Sequence, residues 1–163
     1  MKIKNNILIT GNLGYVGPVV ENYLAKDKNL ILYGIDIEWF KDDLSSSTEY
    51  KSSVKKQIFK DIRDVELNDL EGINTIIHLA AVSNDPMGND FEQATYQINL
   101  DAGIKLAKLA KNSGIKNFIF ASSCSVYGAG GNNAKKEDDE VNPLTAYAIS
   151  KVKFEEELKI ICE

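Results

Sequence analysis

Tyr147 and Lys151 are four residues apart in Tyr147-Ala148-Ile149-Ser150-Lys151, which puts a phenol and an ammonium on one face of the helix that contains them. A free tyrosine titrates near pH ~10 and is a poor base at neutral pH; a neighbouring cation favours the phenolate and fits the pair for proton abstraction. Upstream, the apolar run Asn117-Phe118-Ile119-Phe120-Ala121 leads into the hydroxyl-rich Ser122-Ser123-Cys124-Ser125-Val126-Tyr127-Gly128. A serine in such a turn can hydrogen-bond the same substrate oxygen as the tyrosine and orient it.

A second constellation lies near the amino end. Thr10-Gly11-Asn12-Leu13-Gly14-Tyr15-Val16-Gly17 has the spacing G-x-x-G-x-x-G, one residue off the commoner G-x-G-x-x-G. Gly11 permits a tight turn, Gly14 leaves room for a pyrophosphate against the backbone, and Gly17 lets the following helix pack close to its strand. Phosphate would sit on that helix's N-terminus, where unpaired N–H groups and the dipole favour anions. Asp36 follows Gly17 by nineteen residues at the end of the next apolar run, where a carboxylate accepts from an adenosine ribose and repels a 2′-phosphate. No arginine stands nearby, so the expected cofactor is NAD(H) and not NADP(H).

The elements that must carry these groups alternate. Apolar runs at 7–10, 30–35, 75–79 and 117–121, with a weaker one at 56–60, lack the polar alternation of half-exposed strands, as expected for strands buried on both faces of a parallel sheet. Helical patterns fill 15–26, with Val16, Val19, Val20 and Leu24 on one face, then 91–112 and 144–161. The expected architecture is α/β: a Rossmann-type doubly wound parallel sheet with helices on both faces and ligands at the carboxyl ends of the strands. Residues 38–53 and 128–142 read as loops, the run Glu137-Asp138-Asp139-Glu140 as a solvated face. Asn84-Asp85-Pro86-Met87-Gly88 either meets substrate or turns the chain.

Composition removes other function classes. The 163 residues carry 19 Lys and Arg against 24 Asp and Glu, a formal charge of −5, and their one arginine is Arg63, so there is no basic footprint for nucleic acid or an anionic membrane. No apolar run approaches the roughly 20 residues of a membrane span, and the polar start lacks a signal-peptide core, which reads as cytoplasmic. Cys124 and Cys162 are expected as free thiols, Cys124 as a small packing residue, and two cysteines with one histidine cannot close a four-ligand zinc site. His78 ends a buried strand and reads as structural.

In this order, the motifs resemble those of the extended short-chain dehydrogenase/reductase family, in particular its NAD-dependent sugar-nucleotide epimerases and dehydratases. The likeness runs from the glycine loop to the last helix. It implies that Gly11, Gly14, Tyr15, Val16 and Gly17 form the phosphate loop, that Asp36 is the ribose carboxylate, and that Asp61 and Ile62 bracket the adenine. It further implies a cofactor-lining segment His78-Leu79-Ala80-Ala81 with Ser83 just beyond, and Asn99 as the helix asparagine that helps hold the lysine side. Ser123 matches the catalytic Ser/Thr, Tyr147 the base and Lys151 its lysine, the last two also meeting the cofactor.

Dehydratases of that family typically carry an Asp-Glu pair after the catalytic Ser/Thr; Cys124-Ser125 stands here, which disfavours elimination. The resemblance therefore implies an epimerase acting at C4 of an NDP-linked sugar and working through a transient keto intermediate. A dehydrogenase or ketoreductase would result if the keto species left. The family implies a homodimer packed through 91–112 and 144–161 and a nucleotide-sugar substrate. Its members run to about twice this length, so the 163 residues are expected to be one NAD-binding domain without the C-terminal substrate lobe, ending in an uncovered sheet edge. The reading from another class is an NAD-binding module inactive without that lobe.

Overall fold

The computed structural model describes residues 5–39, 52–83, 85–129 and 134–163. The chain divides into two compact units, one of residues 1–80 with 106–121 and one of 81–105 with 122–163.

The first unit holds the whole sheet. Its parallel strands β1 (Asn5–Thr10), β2 (Leu30–Asp36), β3 (Lys56–Phe59), β4 (Thr75–His78) and β5 (Asn117–Phe120) lie in the order β3-β2-β1-β4-β5. The chain builds outward from β1 to β3, then returns to the other side of β1 with β4. That reversal between β1 and β4 is the topological switch point of a doubly wound sheet, as the alternation of runs and helical patterns predicts. Register places Thr10 beside Ile35 and His78, aligning the carboxyl ends of the three central strands.

Ile7, Ile9 and Leu32 form a core cluster, and Val20 and Leu24 of helix α1 (Gly17–Leu24) pack on it. The helix presents a different face from the one its sequence suggests. Val16 and Val19 are 53% and 69% exposed, whereas Glu21 has no solvent access. The reason is a polar network that outcompetes burial of two valines. Glu21 Oε1 accepts from Asn12 Nδ2 at 2.7 Å, and Oε2 accepts from the Ser52 hydroxyl at 3.0 Å and the Ser53 amide at 3.1 Å. The Asn12 and Gln57 amides pair reciprocally at 2.8 and 3.0 Å. Burial on both strand faces is also corrected at the sheet's edges: β3 and β5 are only partly covered, with Phe59 62% and Ile119 52% exposed.

The second unit comprises α2 (Asp85–Asp90), α3 (Glu92–Thr95), a π-helical stretch Tyr96–Asp101, the start of α4 (Ala102–Asn112), a 3₁₀ turn Cys124–Tyr127 and α5 (Ala146–Cys162). Residues 91–112 are thus not one uniform helix. The widened π turn carries Asn99, which is buried and exchanges hydrogen bonds with the main chain of Val82, accepting from its N–H at 2.8 Å and donating to its carbonyl at 3.0 Å. The segment beginning at Asp85 is helical, not an open turn, and Asn84 lies outside the described residues. Phe154 of α5 is fully buried. No helix among the described residues is long and apolar enough to cross a membrane.

Replacing Glu21 by Leu would leave the Asn12 amide and the Ser52 and Ser53 donors without their acceptor. The expected loss is about 3 kcal/mol of stability by chemical denaturation; a wild-type midpoint would show that the network contributes nothing.

Candidate active site

In the first unit, the glycine loop leaves β1 with Gly11 at φ 73°, donating its N–H to the Ile35 carbonyl at 2.8 Å. A Cβ on Gly11 would stand 2.6 Å from the Ala80 nitrogen, and one on Gly17 would collide with the Asn12 backbone. Both glycines are therefore demanded by close approach, Gly11 by its left-handed φ as well. Helix α1 begins after Val16 with no side chain capping it and no acidic residue in its first turn. An uncapped N-terminus behind a glycine loop is suited to bind phosphate oxygens. Tyr15 and Val16 flank it, 95% and 53% exposed.

Asp36 closes β2 and ties the loop down. Its Oδ2 accepts from the Leu13 N–H at 3.1 Å and its Oδ1 from the Glu38 N–H at 2.7 Å, and each carboxylate oxygen has capacity for a further donor. Asp61 caps a 3₁₀ turn (Ile62–Asp64), accepting from the Arg63 amide at 2.9 Å and from its guanidinium at 3.0 and 2.6 Å. That guanidinium holds the Asp61 carboxyl below the usual carboxylate range. Ile62 beside it is buried. His78 is buried with Nδ1 hydrogen-bonded to the Thr10 hydroxyl at 2.7 Å and with Phe118 and Phe120 against its ring, which agrees with a structural role. Leu79 and Ala80 continue β4, Leu79 donating its N–H to the Thr10 carbonyl at 3.0 Å.

In the second unit, Thr145 starts α5 as its N-cap, the hydroxyl accepting from the Ala148 N–H at 3.1 Å. Tyr147 and Lys151 fall on successive turns. Lys151 Nζ lies 5.4 Å from the centre of the Tyr147 ring, and the side chain is buried, not on the surface. Burial pushes the Lys151 ammonium down to about 8, while Glu155 one turn on pulls it the other way, so it still carries its proton at pH 7. Ser150, also buried, donates to the Tyr147 carbonyl at 2.7 Å and accepts from Asn99 Nδ2 at 3.3 Å. Asn99 thereby reaches the residue next to Lys151 as well as Val82, between Ala81 and Ser83. Ser123 is half-buried at the head of the 3₁₀ turn, its Oγ accepting from the Ser125 N–H at 3.2 Å. Cys124 is exposed and free, correcting its assignment as a packing residue, because the turn points it outward.

Two features escape motif reading. The Asn12–Glu21–Gln57 network supports the loop from below, and its one sequence signal is a charged residue inside an otherwise apolar helix face. Asp85 meets Ser125 and Thr145, which are 40 and 60 residues away, and no local pattern announces that. Among the described residues no group of three His, Cys, Asp or Glu is arranged to hold a metal ion.

A family model for the NAD dependent epimerase/dehydratase family matches residues 7–163. The chain belongs to that family. The UDP-glucose 4-epimerase of Vibrio cholerae is 30% identical over 165 residues, taking in 96% of this chain and 47% of that protein. YtcB of Bacillus subtilis, described as an uncharacterized UDP-glucose epimerase, is 29% identical over 160 residues, 90% of this chain and 48% of its own. The crystal structure of UDP-glucuronic acid 4-epimerase from Bacillus cereus in complex with NAD matches with TM-score 0.81 at 29% identity, over 96% of this chain and 52% of that one. This epimerase/dehydratase family member thus spans about half the length of the relatives it matches.

Lys151 gives the fold a pH dependence of known sign. Its folded pKa lies below the unfolded value of 10.5, so between about pH 8 and 10.5 the unfolded chain holds the proton that the folded chain has released. Stability is therefore gained as pH rises through that window. Between pH 7.5 and 10 the stability of wild type is expected to gain about 2 kcal/mol relative to Lys151→Met, read by urea unfolding; an unchanged difference would contradict the buried ammonium.

Proposed function

We propose that the protein carrying this chain is an NAD-dependent sugar-nucleotide epimerase acting at C4 of an NDP-sugar through a transient keto intermediate. The observation that carries the reading is the apposition of Tyr147 and Lys151 on one face of α5. NAD, when bound, supplies a reversible acceptor for the hydrogen of the oxidised carbon.

The chain's own groups do the rest. Gly11, Gly14 and the start of α1 receive the phosphates, Asp36 the adenosine ribose, and Asp61 with Ile62 the adenine. Tyr147 takes the proton of the sugar hydroxyl, the Lys151 ammonium stabilises the phenolate, and Ser123 orients the oxygen through its hydroxyl. Return of the proton from Tyr147 to the oxygen, together with the hydrogen that bound NAD would give back to the opposite face of the carbon, would complete epimerisation; departure of the keto species would make the same machinery a dehydrogenase or ketoreductase. Elimination is disfavoured, since Cys124 and Ser125 offer no carboxylate to protonate a leaving hydroxyl. The partners assigned are a nucleotide sugar and a second copy of the protein, joined through residues 91–112 and 144–161, where Leu144 and Ile160 are 63% and 65% exposed.

A second reading is an NAD-binding module that does not turn over by itself. The exposed Ile119 on the uncovered edge strand β5 favours it.

Tyr147→Phe in the whole protein is expected to lower epimerisation of UDP-glucose by about 10²–10⁴-fold while leaving NAD affinity within about twofold; unchanged turnover would remove Tyr147 as the base. NAD binding without turnover by the 163 residues alone would select the second reading. NADP is expected to bind at least about tenfold more weakly than NAD because of Asp36, and calorimetric titration showing equal or tighter NADP binding would refute that assignment.

A further inference from the structure

We infer that Asp85 is a positioning residue for the proton-transfer groups: its carboxylate clasps the N-cap of the helix that bears Tyr147 and Lys151 to the turn that bears Ser123. The inference rests on the epimerase reading for its catalytic meaning, and on geometry for its structural one.

The two oxygens of Asp85 are divided between two elements. Oδ1 accepts from the Thr145 hydroxyl and Oδ2 from the Ser125 hydroxyl at 3.3 Å. Each of those residues is bonded onward. Thr145 Oγ1 accepts from the Ala148 N–H at 3.1 Å, closing the first turn of α5 around Tyr147. The Ser125 N–H donates to Ser123 Oγ at 3.2 Å, fixing the hydroxyl assigned to orient substrate. A continuous hydrogen-bonded path therefore runs from the Ala148 amide through Thr145, Asp85 and Ser125 to Ser123.

Asp85 itself opens α2 (Asp85–Asp90), so a third segment enters the clasp. Asp85, Ser125 and Thr145 are all half-buried, where hydrogen bonds to a carboxylate compete less with water than at the surface. The serine turn is tied to the segment before the tyrosine helix by one main-chain bond, the Asn142 N–H donating to the Val126 carbonyl at 2.9 Å, and the clasp adds the side-chain tie at the helix cap itself. The productive spacing of two reacting groups tolerates little error, and a misplacement of about 1 Å can cost roughly a hundredfold in rate.

Substitutions distinguish position from charge. In Asp85→Asn the amide oxygen can still accept from Thr145 and the amide N–H can donate to Ser125 Oγ; in Asp85→Ala both bonds go. With UDP-glucose as probe, Asp85→Asn is expected to keep kcat within about threefold, whereas Asp85→Ala lowers kcat by roughly tenfold to a hundredfold with KM within about twofold. Thr145→Val should repeat the Ala phenotype and Thr145→Ser restore wild-type kcat, which carries the comparison if Asp85→Ala does not fold.

A second measurement needs no turnover. Hydrogen exchange by mass spectrometry on the whole protein should show Thr145→Val accelerating exchange both in a peptide covering 146–150 and in one covering 123–127, each by about tenfold. Equal loss of kcat in Asp85→Asn and Asp85→Ala would assign the carboxylate a charge role and overturn the inference. So would acceleration confined to 146–150. Absence of UDP-glucose turnover in wild type would count against the proposed function, and the exchange result would then decide this inference alone.

Discussion

Beneath the glycine loop, the Glu21 carboxylate sits out of reach of water and holds two separate stretches of chain, the loop at Asn12 and the segment Ser52-Ser53, by their donors. A buried carboxylate without partners would cost several kcal/mol, and the cost is offset here by amide and hydroxyl donors from Asn12, Ser52 and Ser53. Because Asn12 lies between Gly11 and Gly14, and Gln57 on β3 completes its amide pairing, the loop, helix α1 and the β2–β3 side of the sheet share one set of hydrogen bonds. Asp36 adds a tie through the Leu13 amide. The consequence is a loop whose backbone is fixed by its own hydrogen bonds, the Gly11, Leu13 and Gly14 N–H groups donating to Ile35, Asp36 and Gly11.

The second unit uses the same device with different groups. Hydroxyls rather than amides meet a carboxylate, and the elements joined are a capped helix, a 3₁₀ turn and a short helix. Asn99, set in a widened π turn, links Val82 to Ser150, so the residue preceding Lys151 is bonded on both sides. Lys151 is then desolvated in a position its helix cannot easily abandon. Burial weakens its hold on the proton, and a lysine so placed stabilises an adjacent anion more strongly than one in water, because the local dielectric is lower.

Much of this was legible from residue types and spacing. The five runs correspond to the five strands within one or two residues, most plainly for the central β1, β2 and β4, since a parallel strand covered on both faces needs an unbroken apolar run and little else. The glycine loop, Asp36 and the Tyr147–Lys151 spacing were legible because each is local: a turn, a strand end and one helical repeat. The covered face of α1 was not. Periodicity ranks Val16 and Val19 as core by hydrophobicity, yet the network of Glu21 turns another face inward, and hydropathy carries no information about partners 31 and 45 residues away. Nor was the exposure of Cys124, which depends on the direction of a 3₁₀ turn.

The order of apolar runs and glycines determined the architecture by itself, because strand burial, tight turns and helix repeats are short-range consequences of side-chain type. Which polar groups meet was decided only by tertiary structure. Asp85 finds Ser125 and Thr145 across 40 and 60 residues, and Glu21 finds Ser52 and Ser53 across 31 and 32. A hydrogen bond requires approach to about 3 Å at a suitable angle, a condition set by the packing of whole elements and written in no local stretch of chain.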